Sequence, residues 1–233
     1  MQGYKSALKW LYTLRKVVFP DCLDQWLDNF VKGYKKIVAE KKLNGIMELN
    51  EGRYSLSFAG YCFLSEVFMK LHPIGKKYPY KESIFGWCFE VLCWNIIGRC
   101  SNIQKLMLPH FNWVEDAMVV KVPKQKGDQT GEGLSMNKHV YANPLMPKIC
   151  PILGTAVFFF CRKRFSKNGK LNLKLFTEDR IDRFGELLLV MLKDENLIPK
   201  DQDLGASRED LGSHSNRKGA AIFSVVCLCA FQL

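Results

Sequence analysis

The sequence lacks any apolar run of the roughly 18 residues that a membrane-spanning helix needs; the longest, Gly219 to Leu233, suits a buried helix. It opens Met1-Gln-Gly-Tyr-Lys, without the apolar core of a secretory signal, so no leader is expected. No internal repeat is visible. The nine cysteines are odd in number and scattered, and only Cys227 and Cys229 lie close. A C-x-C with no neighbouring histidine is not a zinc spacing, and the set does not form a disulfide framework. These cysteines are read as reduced, mostly buried thiols of an intracellular protein.

What is present is a folded chain of 233 residues, 48% apolar, long enough for one large domain or one and a half. Its net charge is +11 and its pI about 9.2. That balance points to a polyanionic partner, nucleic acid before an anionic membrane surface.

Leu8, Leu11 and Leu14 recur at helical spacing within 5–18, and Pro20 and Asp21 end one helix and cap another. From Leu23, Trp26, Leu27, Phe30, Val31, Tyr34, Ile37 and Val38 form a second helical stripe. The opposite face carries Lys32, Lys35, Lys36, Lys41 and Lys42, either a solvated face or a DNA-backbone contact. The polar, glycine-bearing stretch Asn44 to Arg53 reads as a linker, giving a helical segment 1–52 and a main domain 53–233.

In the main domain Ser57 is placed to cap a helix through Tyr61, Leu64, Val67, Phe68 and Leu71. Residues 83–97 are apolar nearly all round, the mark of a buried central helix. Arg99 follows directly. A guanidinium so close to a core is costly unless it meets a cavity, an anion or a carboxylate such as Glu90 or Glu115. Ala117 to Val122 and Lys138 to Ala142 read as two strands joined by a turn bearing Lys124 and Lys126. Pro151 starts a buried helix that runs into the basic patch Arg162, Lys163, Arg164 and Lys167. That patch has three readings: phosphate contact, nuclear import signal, or complement to the helix dipole. Thr177 is placed to cap a helix with Ile181, Phe184, Leu187, Leu188, Met191 and Leu192 on one face. The expected fold is mainly α with one small antiparallel β-hairpin or sheet.

The chain is organised around Leu211-Gly-Ser-His-Ser-Asn-Arg-Lys-Gly-Ala220. Ser213 is an N-cap candidate, and His214 and Arg217, three apart, share a face of the helix that follows. First-turn N–H groups, the helix dipole, a guanidinium and an imidazole together favour a phosphate there.

The ordered set Gly98-Arg99-x-Ser101-x-Ile103-x-x-Leu106, Val120-Lys-Val-Pro-Lys-Gln-Lys126 and His214-x-x-Arg217 resembles the catalytic domain of tyrosine recombinases, the phage-integrase superfamily. Trp113-x-x-Asp116-Ala-Met-x-Val-x-x-Pro123-Lys-x-Lys-Gly-Asp-Gln, with Lys138 to Pro144 and Ile149 to Leu153, is most similar to the branch carried by Crypton-type eukaryotic mobile elements. The resemblance covers about residues 53–222. It implies that Arg99 and Arg217 clamp the scissile phosphate and stabilise its transition-state charge. It implies that Lys126, or Lys124 in another alignment, protonates the leaving 5′-oxygen, and that His214 positions the phosphate and assists proton transfer. It implies double-stranded DNA as partner, in recombination and integration, with no metal or cofactor, in the nucleus. A homo-oligomer on DNA stays open.

The sequence departs from that family in one respect. The family nucleophile is a tyrosine beyond the second arginine, and here no Tyr, His or Trp follows Arg217. The eight tyrosines, at 4, 12, 34, 54, 61, 78, 80 and 141, all precede His214. The expectation is therefore a C-terminally incomplete recombinase domain, inactive as it stands for want of the nucleophilic tyrosine, that binds DNA and does not cleave it. The alternative is a non-enzymatic DNA-binding or scaffold protein derived from such a recombinase.

Overall fold

The computed structural model describes residues 2–47, 52–70, 80–122, 137–161, 173–176, 180–199 and 202–230. The chain divides into two compact units, Met1–Glu51 and Gly52–Leu233.

The first unit is a pair of helices, α1 (Gln2–Leu14) and α2 (Asp21–Leu43). α1 carries Leu8, Leu11 and Leu14 and ends at the last of them, two residues before Lys16 turns into the left-handed region at φ 54°. α2 starts at Asp21 itself, with Pro20 in the capping position and no side-chain cap. Asp21 and Asp24 complement the dipole of its first turn. Asp24 also receives Lys5 at 2.5 Å and Lys9 at 2.8 Å, which ties the two helices together. The α2 stripe is helical, yet Val31 alone of it is buried, while Trp26, Phe30, Tyr34 and Ile37 are exposed. Two helices are too few to cover both flanks of so wide a stripe.

The second unit is built around α4 (Tyr80–Ile96), whose residues from Phe85 to Trp94 are all buried. α3 (Phe58–Met69), α6 (Pro151–Phe160), α7 (Arg180–Lys193) and α8 (Ser213–Ala230) pack around it. Gly154 and Gly86 allow close approach: a Cβ on Gly86 would stand 2.3 Å from the Phe68 ring. Phe89 stacks on Phe184 at 4.6 Å, and Tyr61 on Trp94 at 4.2 Å, so rings from α3, α4 and α7 fill the core. Ser57 caps α3 as expected, accepting the Gly60 N–H at 2.8 Å. Pro151 occupies the first turn of α6. Thr177 lies outside the described residues.

Among the described residues the sheet has three strands where the sequence suggested two. β1 (Phe111–Val114), β2 (Ala117–Lys121) and β3 (Asn137–Val140) are antiparallel in the order β1-β2-β3, with Val119 opposite both Asn112 and His139. β1 is only four residues long, Phe-Asn-Trp-Val, too short for its pattern to mark a strand; its pairing with β2 defines it. The residues that join β2 to β3 lie outside the described set.

Candidate nucleic-acid interface

α4 ends in a turn whose geometry follows from its sequence only in part. Ile97 adopts φ 54°, a costly conformation for a β-branched residue. Its N–H bonds to the Trp94 carbonyl at 3.1 Å, and the Gly98 N–H to the Cys93 carbonyl at 3.0 Å. This is the paired closure that ends many helices, with isoleucine where glycine is usual. Arg99 leaves the turn in extended conformation and precedes the short helix α5 (Cys100–Gln104).

The first turn of α8 lies against this turn at two points. The Arg217 Nε donates to the Ile97 carbonyl at 3.2 Å. The Cys100 thiol donates to the Ser213 carbonyl at 3.2 Å. Arg99 therefore sits between two residues bonded to the segment that carries His214 and Arg217. Arg99 and Arg217 are half-buried and His214 is exposed. The Arg99 guanidinium has no hydrogen-bond or ion-pair partner among the described residues. Glu90 is bonded instead to Asn216, and Glu115 stands on the exposed β1–β2 turn, so neither carboxylate neutralises Arg99. Three cationic or ionisable side chains thus stand at one junction without a counter-ion among the described residues.

The start of α8 is capped differently from the sequence expectation. Ser213 is the first helical residue and Gly212 stands in the capping position. Ser215 Oγ accepts the Gly212 N–H at 3.0 Å, so the third helical residue supplies the cap from inside. Gly212 also lies beneath Arg53, where a Cβ would meet Nε at 3.2 Å. Arg53 donates to the Glu209 carbonyl, and its own carbonyl accepts Lys218 Nζ at 2.5 Å. Arg53 is thus a further cation beside the α8 N-terminus, drawn there by the extended segment 53–57. That segment bonds to Asp210, Ser215 and Leu204 through Tyr54, Leu56 and Ser57. Sequence reasoning had no signal for Arg53, since its site neighbours lie more than a hundred residues away. A groove of about 310 Å³ beside α5, lined by Gln104, Lys105, Met107, Lys174 and Phe176, adds two lysines that the sequence did not single out. Lys124, Lys126, Arg162, Lys163, Arg164 and Lys167 lie outside the described residues.

No family model and no curated protein matches this sequence. Solved structures do. The structure titled "FLP Recombinase-Holliday Junction Complex I" matches with a TM-score of 0.52 at 12% identity, over 88% of this chain and 48% of that one. XerH site-specific recombinase bound to difH substrate, in a pre-cleavage complex, matches with a TM-score of 0.46 at 12% identity, over 73% of this chain and 42% of that one. The chain spans about half the length of the FLP recombinase chain it matches. The fold is mainly helical with a small antiparallel sheet, similar to that of the FLP recombinase.

Proposed function

We propose that this chain is a DNA-binding, tyrosine-recombinase-like domain that holds a backbone phosphate of duplex DNA between Arg99 and Arg217. The observation that carries the reading is the junction itself. Arg217 and Ser213 are bonded to Ile97 and Cys100, on either side of an Arg99 that has no counter-ion among the described residues. A guanidinium presents donors in a planar fork suited to phosphate oxygens, and two of them neutralise a phosphodiester without a metal. The helix start adds its N–H groups and dipole. His214, exposed on the same first turn, is proposed to orient the phosphate and move a proton, and Lys126 or Lys124 to protonate a leaving oxygen. The net charge of +11 supports a polyanionic partner. The recombinase-like fold supports duplex DNA in particular. Membership of the Crypton-type branch, a role in recombination and integration, nuclear residence and assembly on DNA belong to the same proposal. So do backbone contacts by Arg162, Lys163, Arg164 and Lys167.

No tyrosine follows His214 in the 233 residues, so the proposal for this polypeptide is phosphate binding without strand cleavage. That feature equally suits the second reading, a DNA-binding or scaffold protein that has kept the fold alone. The deciding experiment is a gel-shift titration of a duplex with wild type, the Arg99→Ala/Arg217→Ala double variant, and a double variant of two exposed lysines on α2, Lys35→Ala/Lys36→Ala. The clamp requires the arginine pair to weaken binding more than the lysine pair. Equal binding by wild type and the arginine variant would sink it.

A further inference from the structure

Glu90 lies on α4 with its side chain wholly buried. Its Oε2 accepts from Nδ2 of Asn216, also buried, at 2.5 Å. Asn216 is the residue before Arg217 and two after His214. The other two oxygens of the pair, Glu90 Oε1 and Asn216 Oδ1, have no hydrogen-bond partner among the described residues and are shielded from solvent. Both are acceptors, and an ionised carboxylate has no hydrogen to offer. A proton on Oε1 would supply the donor that the pair lacks, free to bond to Oδ1 while Nδ2–H bonds to Oε2. The cavity beside the pair, about 10 Å³ and walled by leucines of several elements, holds one water at most.

The surroundings favour the neutral form. Ser215 and Asn216 face Glu90 from α8, Tyr61 from α3, Cys93 from α4 itself and Cys100 from α5, while α7 contributes Leu188 and Leu192. None of these is a cation. Burial, helped by Cys100 and opposed by the Asn216 hydrogen bond, pushes the Glu90 carboxyl up to about 8.

We propose that Glu90 is a positioning residue carried as the neutral acid, and that its two-bond pair with Asn216 sets the first turn of α8 and so aims Arg217 and His214. The proposal rests on the reading of Arg99 and Arg217 as a phosphate clamp. Loss of the Glu90 proton leaves three acceptor oxygens against one amide donor in a cation-free pocket. Asn216 Oδ1 then faces an anionic oxygen with no proton between them, so the amide pivots about its remaining Nδ2–H bond to Oε2, the turn shifts, and the bond from Arg217 to the Ile97 carbonyl loosens. Phosphate binding therefore weakens as pH rises through about 8.

The test is duplex DNA affinity at constant salt from about pH 6.5 to about pH 9.5, for wild type, Glu90→Gln and Arg99→Ala/Arg217→Ala, each checked for folding by circular dichroism. Glutamine offers an N–H to Asn216 Oδ1 at every pH. Wild type is expected to lose about tenfold in affinity between pH 7 and pH 9, and Glu90→Gln to stay level over that range. Parallel profiles for these two, with the arginine variant weak throughout, would overturn the role of Glu90 and leave the clamp standing. An arginine variant that binds like wild type would overturn the clamp, and with it the basis of this proposal. A carbon-13 titration of the glutamate carboxyls in wild type needs no variant. One carboxyl must remain protonated at pH 7, and a spectrum with all of them ionised would overturn the proposal.

Discussion

The Arg217 Nε donates to the carbonyl oxygen of Ile97 at 3.2 Å, which locks a guanidinium to the turn that presents Arg99. One N–H is spent on the protein, and the terminal nitrogens remain for a ligand. Lysine at this position keeps the charge but has neither the Nε–H nor the planar fork. Arg217→Lys is expected to weaken duplex binding by about tenfold, near the low end of the roughly 1.5–3 kcal/mol of a charge-assisted bond. Arg217→Ala should weaken it further. Fluorescence anisotropy with a labelled duplex measures both, and a Lys variant as tight as wild type would argue that only charge matters there.

Salt dependence separates a clamp from two independent contacts. Each neutralised phosphate contributes about 0.9 to the log–log salt slope for duplex DNA. If Arg99 and Arg217 hold the same phosphate, the double alanine variant should flatten the slope by about 0.9. Two separate phosphates would flatten it by about 1.8. Titrations at four or five salt concentrations resolve the two cases.

Gly219 is where α8 passes closest to the chain beneath it. A Cβ there would lie 2.1 Å from the Leu56 carbonyl oxygen and 3.0 Å from the Trp94 ring. Neither neighbour can yield cheaply, because the Leu56 N–H is itself bonded to the Ser215 carbonyl and Trp94 is stacked on Tyr61. Gly219→Ala is expected to destabilise the domain by about 1–3 kcal/mol, the usual cost of overpacking. Gly185 on α7 is the control, since a Cβ there meets nothing within 4 Å. Gly185→Ala should stabilise by up to about 1 kcal/mol through helix propensity. Urea denaturation of both variants checks the pair of signs.

Much of this was legible from local pattern. The continuous apolar run of α4, the Ser57 cap, Pro151 at the start of α6 and the helix opening near His214 each depend on residues within a few positions of one another. What was not legible depends on distance. Burial of Glu90 against Asn216 joins residues 126 apart, and Arg53 reaches Glu209 across 156. β1 is a strand only because β2 pairs with it. The cap of α8 was misplaced by one residue because Ser213 and Ser215 offer the same hydroxyl, and only the backbone path decides which one faces the Gly212 N–H. The α2 stripe was read correctly as helical, but periodicity says nothing about whether a second surface covers it.

Strand cleavage can be tested directly on this polypeptide. Tyr141, the last tyrosine in the sequence, is exposed just beyond β3, and Tyr61 is buried and accepts a hydrogen bond from Asn95. Neither stands on α8 with His214 and Arg217. A nicked suicide duplex incubated with the 233-residue chain alone is expected to give no detergent-resistant protein–DNA band. Such a band, with Tyr141→Phe abolishing it, would identify a nucleophile that the present reading does not contain.

The buried carboxyl also sets how stability depends on pH. Glu90 has an ordinary value of 4.5 when unfolded and about 8 when folded. Between those values the unfolded chain has released the proton and the folded chain still holds it. Folding therefore takes up a proton, and stability falls by about 1.4 kcal/mol for each pH unit across that window. The favourable contribution is complete below about 4.5 and fully lost once pH passes about 8. Glu66 works in the opposite direction and in a different range: hydrogen bonds from Lys148 and Lys70 hold it down to about 2, so its contribution is lost only in acid. Glu90→Gln removes the first effect and leaves the second. Urea midpoints should thus decline from about pH 5 to about pH 8 in wild type more steeply than in Glu90→Gln, with the gap between the two widening toward alkaline pH. Midpoints that run parallel across this range would mean that Glu90 ionises in the folded protein as it does in the unfolded chain, and that the two unpaired oxygens are satisfied by something other than a proton.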